Sequence, residues 1–253
     1  MPHLSSKTSS QKFIITGASS GIGAELARQL ANKGYSLGLI ARRKDRLESL
    51  SKELSKQSDH VYFTAIDLCN EKDATEAYEE LSQKLGGLDG IILNAGVGRD
   101  DVVAPWISDA LTIDINVRAF AHGMHWAFEF FKQKGSGHII GMSSIAAHLA
   151  SGHASAYTAS KHFVSNYMTG FRMKANAQSL KIHITDIRPG YVVSEMTQNN
   201  PNTFWMASTK RAVQMMVRGI ESQKKRIYVT KRWYFIARFA DLLPSFIWNR
   251  LPF

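Results

Sequence analysis

The stretch KFIITGASSGIG, residues 12–23, places a glycine-rich turn directly after a short apolar run. The run KFIIT is typical of a buried strand. Gly17, Gly21 and Gly23 follow it with the spacing G-x-x-x-G-x-G, and apolar residues then recur at helical spacing over 21–33. Glycines allow a tight turn and a close approach by a pyrophosphate, which the free N–H groups of a helix start can bind. The stretch therefore predicts a strand–turn–helix unit that holds phosphates.

The same alternation of apolar runs and helical patterns continues along the chain. Strands are predicted at 12–16, 35–41, 61–66, 88–94, 137–143, 181–187 and 226–230. Helices are predicted at 21–33, 43–57, 71–86, 108–133, 155–178 and 206–222. Continuously apolar strands suit a parallel sheet that is buried on both faces. We therefore expect a single α/β domain, a doubly wound parallel sheet (Rossmann fold) of about seven strands with helices on both faces.

The composition fits a globular protein with one cysteine. Of the 253 residues, 44% are hydrophobic and 21% are charged. A lone Cys69 leaves no partner for an intramolecular disulfide, which fits a reducing compartment. Residues 1–11 are polar, are expected to be flexible and lack the apolar core of a signal peptide. The longest uncharged stretch, 135–160, is too polar to span a membrane. No paired Cys-x-x-Cys or His-Glu-x-x-His spacing occurs, so we expect no metal site and a cytoplasmic location.

The end of the second predicted strand carries positive charge where NAD-binding folds carry an acidic residue. In those folds a carboxylate about 20 positions after the glycine motif binds the ribose hydroxyls of NAD. Here Ala41 ends the strand and Arg42 follows it, in the sequence LIARRKDR. A guanidinium can hold a 2′-phosphate through a bidentate contact, so the pattern favours NADP. The alternative is a solvated, basic helix start over residues 42–46, although cations are slightly unfavourable at that end of a helix.

Later strand ends and helix starts add further polar and glycine residues in a fixed order. They are Asp67-Leu68, the segment NAG at 94–96, Asn116, Ser143-Ser144, Tyr157, Lys161 and Pro189-Gly190. Together with TGASSGIG, this ordered set closely resembles the short-chain dehydrogenase/reductase family. The resemblance covers residues 12 to about 230, with 191–206 as a mobile substrate lid. It implies an NADP(H)-dependent oxidoreductase that interconverts a carbonyl and an alcohol by hydride transfer.

The resemblance also implies a catalytic set. Its members are Asn116, Ser144, Tyr157 and Lys161. Ser144 is preferred to Ser143 because the family's catalytic serine usually lies 13 residues before the tyrosine. Asn116 would hold a bend and a water molecule in a proton relay, and Lys161 would also contact the nicotinamide ribose.

A larger set of residues is implied in cofactor binding. Its members are Gly17, Ser19, Ser20, Gly21, Ile22, Gly23, Arg42, Arg43, Asp67, Leu68, Asn94, Ala95, Gly96, Tyr157, Lys161, Pro189, Gly190, Val192 and Ser194. Asp67 and Leu68 would border the adenine, and Pro189-Gly190 would lie against the nicotinamide. The family often has a threonine shortly after Pro-Gly that contacts the carboxamide. Here the sequence PGYVVSEMT leaves Ser194 and Thr197 as alternatives.

Tyr157 and Lys161 lie four residues apart and would face the same side of a helix. Tyrosine has an ordinary pKa of about 10. A unit charge about 4 Å away is worth roughly 4 kcal/mol at an effective dielectric of about 20, which corresponds to about three pKa units. We therefore expect Lys161 to bring the pKa of Tyr157 near ~7, so that it can protonate a carbonyl oxygen. Ser144 would stabilise the developing charge on that oxygen.

Two other classes of function compete with this interpretation. A catalytically silent NADP-binding sensor or scaffold would keep the cofactor site, but the intact catalytic set argues against it. Nucleic-acid binding is suggested only by the net charge of +10, and no base-stacking or zinc module accompanies that charge. The substrate stays open among 3-oxoacyl thioesters, steroid-like ketones, 3-hydroxy acids and small xenobiotic carbonyls. His148, His153 and Trp205 are either pocket residues or surface residues.

Residues 231–253 form a basic, aromatic extension. The segment 224–253 holds seven Lys and Arg residues against one Asp. Apolar residues at helical spacing are Trp233, Ile236, Phe239 and Leu243. Pro244 is expected to end or kink that helix. An apolar face flanked by cations predicts either a contact within a homodimer or homotetramer or a peripheral contact with an anionic membrane. A helix that covers the substrate pocket is the alternative.

Overall fold

The computed structural model describes residues 10–58, 60–98, 105–197 and 205–242. Seven parallel strands form one sheet in the order β3-β2-β1-β4-β5-β6-β7. The strands are β1 (Lys12–Thr16), β2 (Ser36–Ala41), β3 (Val61–Ala65), β4 (Gly90–Leu93), β5 (Ser136–Met142), β6 (Lys181–Pro189) and β7 (Arg226–Val229). The helices are α1 (Gly21–Ala31), α2 (Lys44–Leu54), α3 (Glu71–Lys84), α4 (Trp106–Ile113), α5 (Phe120–Lys134), α6 (Ser155–Ala177), α7 (Thr209–Glu221) and α8 (Arg232–Ala240). The predicted seven-stranded, doubly wound sheet is confirmed.

Helices cover both faces of this sheet. On one face α1 and α7 bury Leu26 and Met216 against the strands. On the other face α5 and α6 bury Phe128 and Met168. Burying an apolar side chain of this size contributes about 1.5–3 kcal/mol. The strand order reverses between β1 and β4, and ligands of open α/β sheets bind in the crevice at such a point, beyond the carboxyl ends of the strands.

The segment 108–133, predicted as one helix, is divided in the structure. α4 ends at Ile113, a π-helical turn spans Asp114–Ala119, and α5 begins at Phe120. A π-helical turn has i→i+5 hydrogen bonds, so a search for a period of 3.6 residues does not detect it. The side chain of Asn116 lies within this turn and is completely buried. The turn stands where the family resemblance implies a bend.

Helix α8 buries part of the predicted apolar face of the extension. Trp233 and Ala237 are buried, and they pack with Ile145 in a small apolar cluster. Phe239, which its spacing places on the predicted apolar face, is 66% exposed and lies outside this cluster. The helix also ends earlier than expected, at Ala240, because Asp241 and the next residue form a turn. Leu243 and Pro244 lie outside the described residues.

Three further expectations concern segments that are only partly described. The expected flexible N-terminus includes residues 1–9, and the expected lid includes 198–204; both ranges lie outside the described residues. Within the described ranges, no helix is both long and apolar enough to cross a membrane. A role of the extension in oligomerisation or in peripheral membrane contact stays a prediction.

A buried histidine in β5 predicts a loss of stability at acid pH. His138 is 6% exposed, and its Nε2 lies 2.8 Å from Thr185 Oγ1. Burial, together with the neighbouring His183, lowers the pKa of His138 from 6.5 to about 4. The unfolded chain binds this proton near pH 6.5, so the stability is present above that pH and is lost as the pH falls toward 4.

We expect the wild type to lose about 2–3 kcal/mol more than His138→Gln between pH 7 and pH 4.5, because glutamine keeps a donor for Thr185 but does not titrate. Urea denaturation of both proteins at the two pH values measures this difference. Equal losses would show that His138 does not carry the effect.

Candidate active site

A cleft of about 540 Å³ opens at the carboxyl ends of the strands, where β1 and β4 diverge. All of the sequence-predicted cofactor residues line it. They are Gly17, Ser19, Ser20, Gly21, Ile22, Gly23, Arg42, Arg43, Asp67, Leu68, Asn94, Ala95, Gly96, Tyr157, Lys161, Pro189, Gly190, Val192 and Ser194. Ser144 of the predicted catalytic set lines it as well, whereas Asn116 does not.

The glycine turn before α1, here called the glycine cradle, packs so closely on itself and on the chain after β4 that Gly17 and Gly23 have no room for a side chain. Gly17 has a φ of +67°, and a Cβ there would lie 2.8 Å from the Cα of Ala95. A Cβ on Gly23 would lie 2.2 Å from the carbonyl oxygen of Gly17. Ser20 caps α1 without a side-chain hydrogen bond to the helix, so no side chain of its own occupies the first N–H groups. A pyrophosphate fits this arrangement of close backbone and free donors.

Arg43, rather than Arg42, contacts the phosphate turn. Its Nε and Nη2 donate to Ser19 Oγ at 3.2 and 3.1 Å, and its Nη2 also donates to Ser20 Oγ at 2.6 Å. Arg42 is exposed on the same wall of the cleft. The two guanidiniums contribute positive charge to this end of the cleft, and Arg43 is paired there with Glu195.

The segment after Gly190 closes over the phosphate turn. Glu195 pairs with Arg46 and with Arg43 Nη1, the latter at 3.0 Å. Hydrogen bonds from Arg46 and Arg43 hold the pKa of Glu195 at about 2, so this carboxylate stays ionised at neutral pH. The contact joins α2 to the described part of the predicted lid.

The two candidates for the carboxamide contact have different surroundings. Thr197 Oγ1 donates to Val192 O at 2.7 Å and accepts from Ser194 N at 3.0 Å, so it stabilises a local turn. Ser194 faces the phosphate turn, since a Cβ on Gly21 would lie 3.5 Å from its Cβ. Both residues line the cleft, so Ser194 and Thr197 both remain candidates for the carboxamide contact.

The structure distinguishes the two neighbouring serines. Ser143 Oγ donates to Asp186 Oδ1 and lies 3.1 Å from Ile187 O, so it faces β6. Ser144 Oγ donates to Pro189 O at 3.3 Å, accepts from Ala146 N at 3.1 Å, and is close enough to the Tyr157 hydroxyl to lower its pKa. Ser144 is therefore the serine that reaches the tyrosine, and its catalytic role stays a prediction.

Tyr157 and Lys161 lie together, but not in the expected electrostatic relation. The ammonium of Lys161 lies 5.5 Å from the centroid of the Tyr157 ring and donates to Met142 O at 3.1 Å. Burial raises the pKa of Tyr157, partly offset by the hydrogen bond with Ser144. The expected lowering toward ~7 is thus wrong for the protein alone, because burial outweighs a cation that faces the ring rather than the hydroxyl. Burial also lowers the pKa of Lys161 to about 8, against the opposing charge of Asp186.

Asn116 supports the site from behind. Its Nδ2 donates to Val97 O at 2.7 Å and to Ser160 Oγ at 3.0 Å, and its Oδ1 accepts from Val97 N at 2.9 Å. A Cβ on Gly96 would come within 3.2 Å of Asn116 Oδ1 and 3.4 Å of Lys161 Nζ, so the two side chains approach the same small space. Asn116 thereby joins the π-helical turn to the strand end after β4.

Several cleft residues were not found from the sequence. They are Ala41, Ile66, Val97, Gly98, Ile115, Met142, Ser143, Glu195 and Met196. Most flank the recognised motifs and have no chemical signature of their own. Gly98 is the informative case, because a Cβ there would lie 2.6 Å from Tyr157 Cδ2. A second glycine two residues after Gly96 was the signal that could have identified it.

The other candidate pocket residues lie elsewhere. His148 belongs to a buried network described below, and His153 is partly buried on the loop before α6. Trp205 is 52% exposed, with its ring centroid 6.2 Å from that of Trp233. None of the three is among the residues that line the cleft. The described residues contain no group of three or more His, Cys, Asp or Glu that could hold a metal ion.

A doubly wound sheet, a glycine cradle at the start of α1 and a Ser-Tyr-Lys set on the facing wall define a nucleotide-binding oxidoreductase with a Rossmann fold. The family model for the short chain dehydrogenases matches residues 11–205 of this chain. The chain therefore belongs to the short-chain dehydrogenase/reductase family.

Known relatives span nearly the whole chain. An uncharacterized oxidoreductase of Mycobacterium tuberculosis is 34% identical over 247 residues, which cover 95% of this chain and 96% of that protein. An uncharacterized oxidoreductase of Myxococcus xanthus is 32% identical over 237 residues, which cover 92% of each protein.

Solved structures share the fold at lower identity. A short-chain dehydrogenase from Sphingobium yanoikuyae in complex with NADPH gives a TM-score of 0.79 at 24% identity, over 93% of this chain and 97% of that one. A short-chain dehydrogenase/reductase from Burkholderia phymatum in complex with NAD gives 0.82 at 18% identity, over 90% and 92% of the two chains.

The contact between Gly98 and Tyr157 predicts a cost for any side chain at position 98. We expect Gly98→Ala to lower the free energy of unfolding by about 1–3 kcal/mol, because the added methyl group must displace the Tyr157 ring. Gly170→Ala in α6 is the matched control, since a Cβ there meets no atom within 4 Å, and alanine is the better helix former by about 1 kcal/mol. Urea denaturation measures both. If Gly98→Ala is as stable as the wild type, the Tyr157 ring is not held against position 98.

Proposed function

We propose that the protein is an NADP(H)-dependent oxidoreductase that interconverts a ketone or aldehyde and an alcohol, with Tyr157 as the general acid and base. The observation that carries this proposal is the convergence of Ser144, Tyr157 and Lys161 on the cleft wall that faces the glycine cradle. A hydroxyl pair beside a buried cation is suited to transferring a proton to an oxygen that gains charge.

Different residues of the cleft would bind different parts of the cofactor. The cradle and the N–H groups of α1 would bind the pyrophosphate, and Asp67-Leu68 would border the adenine. Arg42 and Arg43 would bind the 2′-phosphate, for which the missing carboxylate at the end of β2 and the preordered guanidinium of Arg43 are the support. The Sphingobium yanoikuyae relative binds NADPH and the Burkholderia phymatum relative binds NAD, so the family fold alone does not decide between them. When bound, the cofactor supplies or accepts the hydride.

The raised pKa of Tyr157 bears on the direction of the reaction. A phenol whose pKa is raised by burial keeps its proton at neutral pH, which is the form that protonates a carbonyl oxygen. Oxidation of an alcohol requires the deprotonated form, which becomes populated only as the pH rises. We therefore propose that the site favours carbonyl reduction near neutral pH. Lys161 is partly deprotonated from about pH 8 upward, and its charge then no longer assists.

Further proposals concern the class of substrate, the assembly state and the location of the protein. The substrate is a small-molecule carbonyl or alcohol, and a cytoplasmic homodimer or homotetramer is the proposed form of the protein. A catalytically silent NADP-binding sensor or scaffold is the alternative, and the presence of Ser144, Tyr157 and Lys161 together on the cleft wall argues against it. A screen of carbonyl compounds that follows NADPH absorbance distinguishes the two, because the sensor would bind NADPH without consuming it.

The choice of cofactor can be tested at the two arginines after β2. We expect Arg42→Asp and Arg43→Asp each to weaken binding of NADP by about tenfold or more, because a charge-assisted pair with the 2′-phosphate is replaced by repulsion. Lys44→Asp is the control, since it makes the same charge change on α2 outside the cleft. Isothermal titration with NADP and NAD measures the ratio of the two affinities. A wild type that binds NAD more tightly than NADP would refute the assignment.

The proposed proton transfer can be tested at Tyr157 and Lys161. Tyr157→Phe should bind NADPH as the wild type does but lose turnover by about 10²-fold or more, since only the transferable proton is removed. Lys161→Ala should weaken both binding and turnover. Fluorescence titration and steady-state rates give the two quantities separately. Most of the activity remaining in Tyr157→Phe would contradict the proposed mechanism.

A further inference from the structure

A buried ion pair lies directly behind the catalytic wall. Asp186 and Arg188 of β6 are 0% and 4% exposed, and Asp186 Oδ2 accepts from Arg188 Nε at 2.7 Å. Ser165 connects to both, donating to Asp186 Oδ2 at 2.9 Å and accepting from Arg188 Nη2 at 2.5 Å. Buried charges of this kind persist only when they are paired and hydrogen-bonded on every side.

This pair touches the segments that carry the proposed active site. Ser143, which donates to Asp186, directly precedes Ser144. Ser165 lies one helical turn after Lys161 on α6, and Arg188 directly precedes the Pro189-Gly190 wall of the cleft. The position of the Arg188 guanidinium is therefore linked to three of the segments that line the cleft.

His148 extends the network away from the cleft. Arg188 Nη1 donates to His148 Nε2 and, at 2.8 Å, to the hydroxyl of Tyr228. On the other side of the ring, His148 Nδ1 lies 2.7 Å from Oδ1 of Asp241, at the end of α8. A guanidinium only donates, so Nε2 must accept, which requires a neutral imidazole with its proton on Nδ1. Burial, and then the charge of Arg188, lower the pKa of His148 in agreement with this form, although Asp241 opposes them.

Helix α8, which His148 holds through Asp241, packs directly on the cleft wall. A Cβ on Gly190 would lie 2.0 Å from Trp233 Nε1, so the indole rests against the backbone at Gly190. The ring centroids of Trp233 and Tyr191 are 5.7 Å apart, edge to face. The family match ends at residue 205, so α8 and its contact with His148 lie beyond the part of the chain that defines the family.

We propose that His148 is a positioning residue whose hydrogen bonds from Arg188 and to Asp241, here called the His148 bridge, fix α8 against the Pro189-Gly190 wall of the active site. The bridge makes the C-terminal helix a structural part of the cofactor-binding cleft. The effect on cofactor binding rests on the proposed function, whereas the effect on α8 does not.

The charged and polar groups around the His148 ring determine how protonation of the ring would affect the His148 bridge. His148 faces Arg188 of β6, Tyr228 of β7 and Asp241 of α8, with His162 of α6 nearby and Arg238 paired to Asp241 at 3.4 Å. A protonated ring would direct an N–H at the Arg188 guanidinium, so the acceptor would be lost and two cations would face each other. The His148 bridge is therefore intact above the lowered pKa of His148 and broken below it.

Three variants test the bridge. His148→Phe keeps an aromatic ring but removes both hydrogen bonds of the bridge. Arg188 keeps its pair with Asp186 and its hydrogen bond to the Tyr228 hydroxyl, and it loses only the acceptor on His148. Asp241→Asn keeps an oxygen acceptor for the Nδ1–H group and removes only the charge. His153→Phe is the control with the same substitution in the segment between His148 and α6, because the hydrogen bond found for His153 among the described residues comes from its backbone N–H group.

The primary measurement is hydrogen exchange of residues 232–240 in the protein without cofactor. We expect protection in His148→Phe to fall about five- to tenfold, as the loss of a hydrogen bond predicts. Asp241→Asn and His153→Phe should stay within about twofold of the wild type. Wild-type protection of α8 in His148→Phe would overturn the proposal. Equal loss in Asp241→Asn would also overturn it, since it would show a cationic ring held by charge.

Two further measurements separate a positioning role from a merely structural one. Protection factors of α8 should fall more steeply in the wild type than in His148→Phe as the pH drops through the lowered pKa of His148. A parallel fall in both proteins would overturn the bridge. His148→Phe should also bind NADPH about threefold or more weakly, and unchanged affinity would refute the link to the cleft. Failure of the wild type to bind NADPH would instead refute the proposed function and leave the exchange result as the test of the bridge.

Discussion

The hydroxyl of Thr16 holds together the point at which the two halves of the sheet separate. It lies at the end of β1, is 2% exposed and accepts the N–H groups of Asn94 and Ala95 at 3.0 and 3.1 Å. The Asn94 side chain returns a hydrogen bond of 3.0 Å to Thr16 O. These bonds satisfy backbone groups that the divergence of β1 and β4 would leave unpaired. The cleft exists because the strands part here, and the phosphate turn and the catalytic wall take their positions from this junction.

Much of this architecture follows from local sequence because parallel strands buried on both faces must be apolar throughout. All seven runs of that kind became strands, and the glycine turn became the cradle. Cleft residues that belong to a local sequence motif could likewise be identified from the sequence. Glu195 and Gly98 were not, since one acts through an ion pair with α2 and the other through the room it leaves for Tyr157. Such contacts join distant segments and leave no periodicity in the sequence.

The pKa shifts of Tyr157 and Lys161 could not be predicted from the sequence. Spacing predicts that Tyr157 and Lys161 share a face of α6, and they do. It does not give the position of the ammonium relative to the hydroxyl, which depends on the side-chain rotamers and on the Met142 carbonyl that binds Lys161. Burial acts on both groups in the direction of their neutral forms. Burial therefore separates the two pKa values, because that of Tyr157 rises above its ordinary value while that of Lys161 falls to about 8. Both groups still hold their protons at neutral pH.

The ion pair of β6 can be predicted from the alternation of side chains along a strand. In the run TDIRPG, Asp186 and Arg188 are two residues apart, so both side chains point to the same face of the strand. A carboxylate and a guanidinium in that relation can neutralise each other inside a core where either alone would be expelled. Arg188 has more donors than Asp186 can accept, and the surplus must find acceptors. Tyr228 and His148 supply them, which is why a pair buried behind the active site extends as far as α8.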